Sequence, residues 1–292
     1  SLEPARAAKY AAIVIEETSG KVLFARNADK SRYPASLTKI MTLYLLFEEL
    51  ESGRMTMRTK LPVSRVAASR SPSKLYLKPG QTITVKDAIY ALITKSANDV
   101  ATVVGEALSG TEREFGKRMT RKSRALGMSA TTFRNASGLP HSKQRTTARD
   151  MARLAIAMRR DFPQYFGFFS TKSFRWRGKR FGNHNKLLSN YTGTDGIKTG
   201  YIDASGYNLV ATVERNGVRL IGVVFGGRTG KTRDAHMVKI LDKSFKRVKP
   251  RDIRTQLAAA SSDAVRALPR TLPRSLPVPP PAPDTLPVAP PP

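Results

Sequence analysis

The order of apolar patterns constrains the fold of this 292-residue chain most strongly, because strand patterns stand at both ends and helix patterns lie between them. Residues 8–27 are typical of a β-hairpin with a turn at Thr18-Ser19-Gly20. A second hairpin is predicted from Tyr207 to Phe225, turning at Asn216-Gly217. Apolar spacing predicts helices over 36–51, 112–127, 147–159 and 232–247, and a pair of helices over 86–108 that is broken at Thr94-Lys95-Ser96. The ends should therefore pair in one antiparallel sheet around a mostly helical insertion, which is an α/β (α+β) fold.

The composition changes after Pro250. Eleven of the nineteen prolines lie between Pro269 and Pro292, where large apolar residues are few. Such a segment cannot form a core and favours an extended chain. The sequence thus predicts one folded domain over 8–248 and a proline-rich, extended or disordered tail over 249–292.

The net charge of +29 predicts an anionic partner, such as nucleic acid, an acidic membrane surface or an anionic cell-wall polymer. Nucleic acid is not expected, because no nucleic-acid-binding fingerprint occurs and aromatic residues do not alternate with the basic ones. Basic residues crowd the middle of the chain and predict one electropositive face there. They include Lys172, Arg175, Arg177, Lys179 and Arg180. Trp176 lies among them, and the sequence is compatible with either stacking of its ring on a glycan or packing of its ring over the core.

Several classes of chemistry are excluded by what the sequence lacks. Without cysteine there are no disulfides and no thiolate catalysis. His141, His184 and His236 are too widely spaced for a metal site, so they are expected to be structural, and neither metal nor cofactor is predicted. No apolar run approaches the roughly 18–20 residues that span a bilayer. Residues 1–9 lack a hydrophobic signal core, so the protein is either cytosolic or a mature form whose leader has been removed.

Three short motifs point to acyl transfer by a serine: Ser36-Leu37-Thr38-Lys39, Ser96-Ala97-Asn98 and Lys198-Thr199-Gly200. Ser36 and Lys39 are one helical turn apart, so their side chains share a face. A serine hydroxyl becomes nucleophilic when a neighbour takes its proton, and a lysine does so when burial and a nearby positive charge lower its pKa. Lys198 would supply that charge. Ser36 is also predicted to be the N-cap of its helix, where developing negative charge is favoured.

The other two motifs complete a site. Ser96 is predicted to relay protons to the leaving group, and Asn98 to bind the substrate amide and Lys39, although both are also common helix caps. A substrate backbone would pair along the strand that begins at Lys198, and Gly200 leaves room for it. The N–H groups of Ser36 and Tyr201 would form an oxyanion hole. A second pattern, Ser71-Pro72-Ser73-Lys74, cannot lie on a regular helix and is not expected to be catalytic.

The stretch Tyr33-Pro34-Ala35-Ser36-Leu37-Thr38-Lys39-Ile40-Met41-Thr42 resembles the active-site signature of low-molecular-mass penicillin-binding proteins, the D-alanyl-D-alanine carboxypeptidases of serine peptidase family S11. The stretches 195–201 and 204–210 match as well. This resemblance, over about 8–248, implies a β-lactamase/transpeptidase-like fold. It also implies removal of the terminal D-Ala from peptidoglycan stem peptides through a seryl acyl-enzyme, with inhibition by β-lactams.

The resemblance assigns Ser36 as nucleophile and Lys39 as base, with Ser96, Asn98, Lys198 and Thr199 completing the site. An arginine beside the last helix would hold the substrate carboxylate, and Arg233 fits best, with Arg228 as second choice. Two departures matter. Tyr201 stands where the family often has histidine, and a proline-rich tail stands where many relatives have a membrane anchor. The substrate implies a periplasmic or extracytoplasmic location, with the leader absent from this chain.

One sequence feature bears on each of three alternative functions. A class A β-lactamase uses a glutamate between the second and third motifs, but no glutamate occurs between Glu114 and Glu214. A D,D-endopeptidase acting on cross-links would use the same site and stays open. A non-catalytic, basic cell-wall-binding protein is disfavoured because all reactive positions are intact.

Overall fold

The computed structural model describes residues 9–248 and contains a five-stranded antiparallel sheet in the order β2-β1-β9-β8-β7. Two separate two-stranded sheets, β3-β4 and β5-β6, flank the helical region. The strands are β1 (Ala11–Glu16), β2 (Val22–Arg26), β3 (Lys60–Pro62), β4 (Thr82–Thr84), β5 (Ser173–Trp176), β6 (Lys179–Gly182), β7 (Thr194–Ile202), β8 (Gly206–Arg215) and β9 (Val218–Gly227). The predicted pairing of the chain's two ends is confirmed, because β1 lies between β2 and β9.

The helices fill the middle of the chain and close it. They are α1 (Thr38–Glu51), α2 (Arg65–Ala68), α3 (Val85–Tyr90), α4 (Asn98–Ser109), α5 (Glu112–Ala125), α6 (Ala148–Asp161), α7 (Pro163–Phe166), α8 (Leu187–Asn190) and α9 (Gly230–Phe245). Threonines cap four of them, with the side chains of Thr84, Thr111, Thr147 and Thr229 accepting a backbone N–H from the first turn. No helix among residues 9–248 is long and apolar enough to cross a membrane.

The large sheet is buried on both faces. In β1, Ile13 packs in the core shared with the helical region, whereas Val14 packs in a second core beneath α9. Successive strand residues point to opposite faces, so a continuous apolar run is what such a strand requires. Helix α1 lies in the centre of the helical region and is buried on nearly all sides.

One prediction for the helical middle is confirmed and one feature there was not predicted. The break expected at Thr94-Lys95-Ser96 is present, because α3 continues as a π-helical turn (Ala91–Lys95) and the chain breaks at Ser96, whose φ is 59°. The β5-β6 hairpin was not predicted. Its apolar residues alternate with arginines, and the segment was predicted only to be a basic cluster. The predicted tail over 249–292 lies outside the described residues, so the domain boundaries stay a prediction.

Candidate active site

Ser36 lies in a tight 3₁₀ turn, Ala35–Leu37, that leads directly into α1. The prediction that Ser36 caps the helix is wrong, because the 3₁₀ turn continues into the α-helix and Leu37 takes the N-cap position without a side-chain hydrogen bond. Ala35, just before the serine, has a φ of 47°, a left-handed conformation that costs energy in a residue with a side chain. The turn therefore leaves the hydroxyl of Ser36 free to contact Lys39.

Lys39 is fully buried and held by three acceptors. Its Nζ lies 3.2 Å from the Ser36 Oγ, 2.7 Å from the Asn98 Oδ1 and 2.6 Å from the backbone oxygen of Ser137. The first two partners belong to the predicted motifs, and the third comes from a loop that the sequence did not indicate. This geometry places an amine where it can take the proton of the serine hydroxyl.

Asn98 is positioned by the segment that contains the second Ser-x-x-Lys pattern. Its Nδ2 donates to the backbone oxygen of Ser71 at 3.0 Å, and its N–H donates to that of Ser73 at 2.7 Å. Lys74 is turned away, with its Nζ on the backbone oxygen of Ala68 at 3.2 Å. This pattern is thus not a second Ser–Lys pair. It is a support for the amide that contacts Lys39.

Ser96 presents a buried hydroxyl to the cleft. Its Oγ has no hydrogen-bond partner among residues 9–248, although the residue is only 5% exposed. A buried hydroxyl without a partner is unfavourable, so a group that enters the cleft would gain by bonding to it. Ser96 lines the same cleft as Ser36.

The third motif lies on β7, at the edge of the five-stranded sheet. Lys198 is 1% exposed, and its Nζ donates to the backbone oxygen of Thr199 at 3.0 Å. A Cβ on Gly200 would lie 3.0 Å from the Ser36 backbone nitrogen and 3.3 Å from the Pro34 oxygen. A glycine at this position therefore lets the free strand edge approach the turn that contains Ser36.

The surroundings of Lys39 and Lys198 lower the pKa of both amines, by different amounts. Burial, and next the charge of Lys198, lowers the pKa of Lys39 well below its usual value, against the opposing effect of Asp99 and Glu112. Burial, together with the charge of Arg233, lowers the pKa of Lys198 to about 7. A neutral Lys39 is a proton acceptor, and a Lys198 that still gains its proton near neutrality can attract an anion.

Arg233 lies in the first turn of α9, beside the cleft. It is 4% exposed and lines the cleft, where its guanidinium contacts the Asn208 backbone oxygen at 3.2 Å and the Asp234 carboxylate at 2.7 Å. Arg228, the second choice, instead lines a neighbouring cavity. A buried arginine near Thr199 suits a carboxylate ligand.

The cleft measures about 410 Å³ and holds most of the predicted site residues. Ser36, Ser96, Asn98, Thr199, Gly200, Tyr201 and Arg233 line it directly, whereas Lys39 and Lys198 lie behind its wall. No cluster of three metal-binding side chains occurs within residues 9–248.

Sequence reasoning missed Gly138 and His184, which also line the cleft. Gly138 follows Asn135, whose Oδ1 accepts the Gly138 N–H at 2.7 Å, and this Asn-x-Ser-Gly turn was a usable signal. His184 was expected to be structural, but it stands at the rim, where burial and the charges of Lys198 and Lys95 lower its pKa to about 4. No sequence signal distinguished it from the other histidines.

The comparison with known sequences gives a family match and close relatives. The family model for D-alanyl-D-alanine carboxypeptidases, peptidase S11, matches residues 2–229. The D-alanyl-D-alanine carboxypeptidase DacF of Bacillus subtilis (strain 168) is 37% identical over 238 residues, which are 80% of this chain and 61% of that protein. DacA of Escherichia coli (strain K12), a protein of the same description, is 37% identical over 241 residues, with 80% and 60% covered. The chain thus spans about three fifths of the length of these relatives.

Solved structures show the same fold. Penicillin-binding protein 5 from Haemophilus influenzae superposes with a TM-score of 0.78 at 32% identity, covering 81% of this chain and 70% of that one. Penicillin-binding protein D2 from Listeria monocytogenes, in its ampicillin-bound form, gives 0.75 at 32% identity, covering 82% and 97%. The predicted transpeptidase-like fold is confirmed. On the family match and this structural likeness, the chain belongs to the D-alanyl-D-alanine carboxypeptidase family, peptidase S11.

Proposed function

We propose that this chain is a serine-type D-Ala-D-Ala carboxypeptidase that removes the terminal D-alanine from peptidoglycan stem peptides. The observation that carries the proposal is the Lys39 amine, buried and 3.2 Å from the Ser36 hydroxyl, beside a cleft that Ser36 and Arg233 both line. The family match over residues 2–229 supports it. Arg233 and Thr199 would hold the terminal carboxylate and place the preceding carbonyl at Ser36.

The reaction would proceed through an ester of Ser36. Its Oγ attacks the carbonyl carbon of the penultimate D-alanine while Lys39 takes the proton, and the N–H groups of Ser36 and Tyr201 stabilise the oxyanion. The C–N bond then breaks, and the departing amine takes the proton that Lys39 accepted, delivered through Ser96. Water next attacks the ester carbonyl and gives a proton to Lys39. The bond between the acyl carbon and the Ser36 Oγ then breaks, Lys39 returns the proton to that oxygen, and the shortened peptide leaves as a carboxylic acid.

The lining of the cleft favours a long-lived complex with β-lactams. Among the described residues that line it, none is an aspartate or a glutamate. A class A β-lactamase uses a glutamate to activate the deacylating water, so a β-lactam ester at Ser36 would be hydrolysed slowly. The relative from Listeria monocytogenes, solved with ampicillin bound, supports the proposal that β-lactams inhibit this chain.

The direct test is release of D-alanine from diacetyl-L-lysyl-D-alanyl-D-alanine. The parent chain is expected to release it, and Ser36→Ala is expected to lose about 10⁴-fold or more of the activity, because the nucleophile is missing. Ser189→Ala, an exposed serine on α8, is the matched control. Release by Ser36→Ala at the parent rate would contradict the assignment of the nucleophile.

The pH dependence of kcat/KM should have an acidic limb set by the pKa of Lys39 and an alkaline limb set by the pKa of Lys198. Lys39 acts as a base only when neutral, so activity is lost as the pH falls through its lowered pKa. Lys198 attracts the carboxylate only when protonated, so activity is lost as the pH rises through about 7.

Replacing Arg233 by Gln removes the charge that helps to lower the pKa of Lys198. The alkaline limb should therefore move to higher pH, while kcat/KM falls about tenfold or more.

A pH–rate profile of Arg233→Gln beside the parent chain checks this prediction. Lys198→Arg should remove the alkaline limb altogether, because a guanidinium stays protonated over the accessible range. An alkaline limb that stays in place in both variants would show that another group titrates there.

We further propose that the enzyme acts outside the cytoplasmic membrane and that the β5-β6 hairpin binds the anionic cell wall there. Its register puts Arg175 opposite Arg180 on one face, whereas Phe174 and Phe181 pair on the other. Trp176 packs against the core and lies under the Arg177 guanidinium, 5.5 Å from the ring centre, so it covers apolar residues. Among the described residues, none of the five basic side chains of this cluster forms an ion pair with a carboxylate.

Binding of the chain to isolated sacculi should weaken as salt rises, since exposed charges are screened within about 8–10 Å at physiological ionic strength. The double variant Arg175→Glu/Arg180→Glu should bind about tenfold more weakly at low salt. The control Arg58→Glu/Lys60→Glu makes the same change in net charge at exposed residues outside the hairpin. Equal losses in both variants would mean that net charge, and not the hairpin, governs binding.

A further inference from the structure

A second cavity of about 340 Å³ opens next to the catalytic cleft. Tyr201 and Tyr207 line both and separate them, with ring centres 4.3 Å apart. We call this second cavity the side cavity; its other lining residues are Lys9, Asp203, Gly206, Gly226, Gly227 and Arg228. None of the motifs has a role in it, so the proposed reaction leaves the side cavity unexplained.

The side cavity presents charges of both signs. The Lys9 Nζ donates to the backbone oxygen of Asp203 at 2.6 Å, and the Asp203 carboxylate accepts the Tyr201 hydroxyl at 2.5 Å. Arg228 is exposed and has no carboxylate partner among residues 9–248. Two cations and one carboxylate around a small cavity would suit a ligand that carries an anionic and a cationic group close together.

Strand polarity indicates which part of a substrate reaches this cavity. Every pairing in the large sheet is antiparallel, so a peptide that continues the sheet along the free edge of β7 should also be antiparallel. Its C-terminal end would then lie at Lys198 and Thr199, and its earlier residues at Tyr201 and beyond.

The residue that precedes the two D-alanines would therefore lie beside Tyr201 and Asp203, at the mouth of the side cavity. We propose that the side cavity binds the end of this residue's side chain when that end carries a carboxylate and an ammonium group on one carbon. This inference rests on the proposed function. Arg228 and Lys9 bind the carboxylate, and Asp203 binds the ammonium. The enzyme thus selects stem peptides by the charge of their third side chain as well as by their terminal D-alanine.

Three substrates that differ only in this side chain test the proposal: N-acetyl-X-D-Ala-D-Ala at physiological salt. In the first substrate X is meso-diaminopimelate joined through its L centre, whose side chain ends in a carboxylate and an ammonium group. In the second X is L-lysine, whose side chain ends in an ammonium group alone. In the third X is Nε-acetyl-L-lysine, whose side chain carries no charge. The parent chain is expected to give a kcat/KM about tenfold higher for the first substrate than for the third. Arg228→Ala should bring this ratio close to one, whereas Arg58→Ala, at an exposed arginine that lines neither cavity, should not change it.

The outcomes separate this inference from the proposed function. Release of D-alanine from all three substrates at similar kcat/KM, or a ratio that Arg228→Ala leaves unchanged, overturns the role of the side cavity alone. No release from any of them, with no acylation by benzylpenicillin, overturns the proposed function and this inference together. A ratio lowered equally by Arg58→Ala and Arg228→Ala would show a general charge effect and would also contradict the proposal.

Discussion

Replacing Lys39 by Met is expected to lower the rate constant for acylation of Ser36 by about 10³–10⁴-fold, which is the contribution of a well-placed general base. The Lys39 Nζ contacts the Ser36 Oγ at 3.2 Å and is anchored by Asn98 and Ser137. No other amine in the described site contacts the hydroxyl. Methionine has a similar volume and no proton-accepting nitrogen, so the turn would stay filled while the base is lost.

The variant should still fold. It leaves the Asn98 Oδ1 and the Ser137 oxygen without their donor, which costs about 1–3 kcal/mol each, but it also removes a buried amine that is costly to desolvate. The rate of adduct formation with benzylpenicillin measures the effect, and circular dichroism confirms the fold. Lys74→Met is the matched control, because Lys74 occupies the same place in the second Ser-x-x-Lys pattern and bonds only to Ala68. Acylation of Lys39→Met at the rate of that control would contradict the role of Lys39.

Replacing Gly138 by Ala is expected to lower the free energy of unfolding by about 2–5 kcal/mol. The φ of Gly138 is +88°, and a Cβ there would lie only 1.8 Å from the Ala35 backbone oxygen and 2.9 Å from the Ser36 nitrogen. Backbone atoms cannot move aside as a flexible side chain can, so crowding adds to the cost of the left-handed conformation. The nucleophile turn would have to shift, and a displacement of about 1 Å in a reacting group lowers the rate by about 10²-fold.

Thermal unfolding and benzylpenicillin acylation of Gly138→Ala measure the two effects. The midpoint of unfolding should fall by about 5–15 °C. Gly80→Ala is the matched control, since Gly80 has a φ of +81° and no atom within 4 Å of its would-be Cβ. This control should lose only about 1 kcal/mol, the cost of backbone strain, and keep the acylation rate. Equal losses of stability in the two variants would mean that the Ala35 turn is not packed as described.

Local spacing explains why so much of the site was predictable. Ser36 and Lys39 must meet because they lie one turn apart on a helical segment, and the hairpins followed from turn residues and alternation. Several other features depend on tertiary contacts. The contact of the Ser137 carbonyl with Lys39 and the support of Asn98 by Ser71 and Ser73 join segments far apart in the chain. No single window of sequence contains that information.

The errors have physical causes as well. A serine after Pro34 and Ala35 has the composition of an N-cap, but the 3₁₀ turn extends the helical backbone past it, so its hydroxyl stays free. The β5-β6 hairpin carries Phe174 and Phe181 on its inner face and arginines outside. Its high charge concealed an alternation that is otherwise typical of a strand.

Acylation of Ser36 is the central claim, and intact-mass spectrometry after brief incubation with benzylpenicillin tests it most directly. The parent chain should gain one penicilloyl group that persists, and Ser36→Ala should gain none. An adduct that forms equally on Ser36→Ala would contradict the claim, and so would a parent chain that leaves the drug intact and gains no mass. Rapid consumption of the drug without a lasting adduct would instead indicate a β-lactamase.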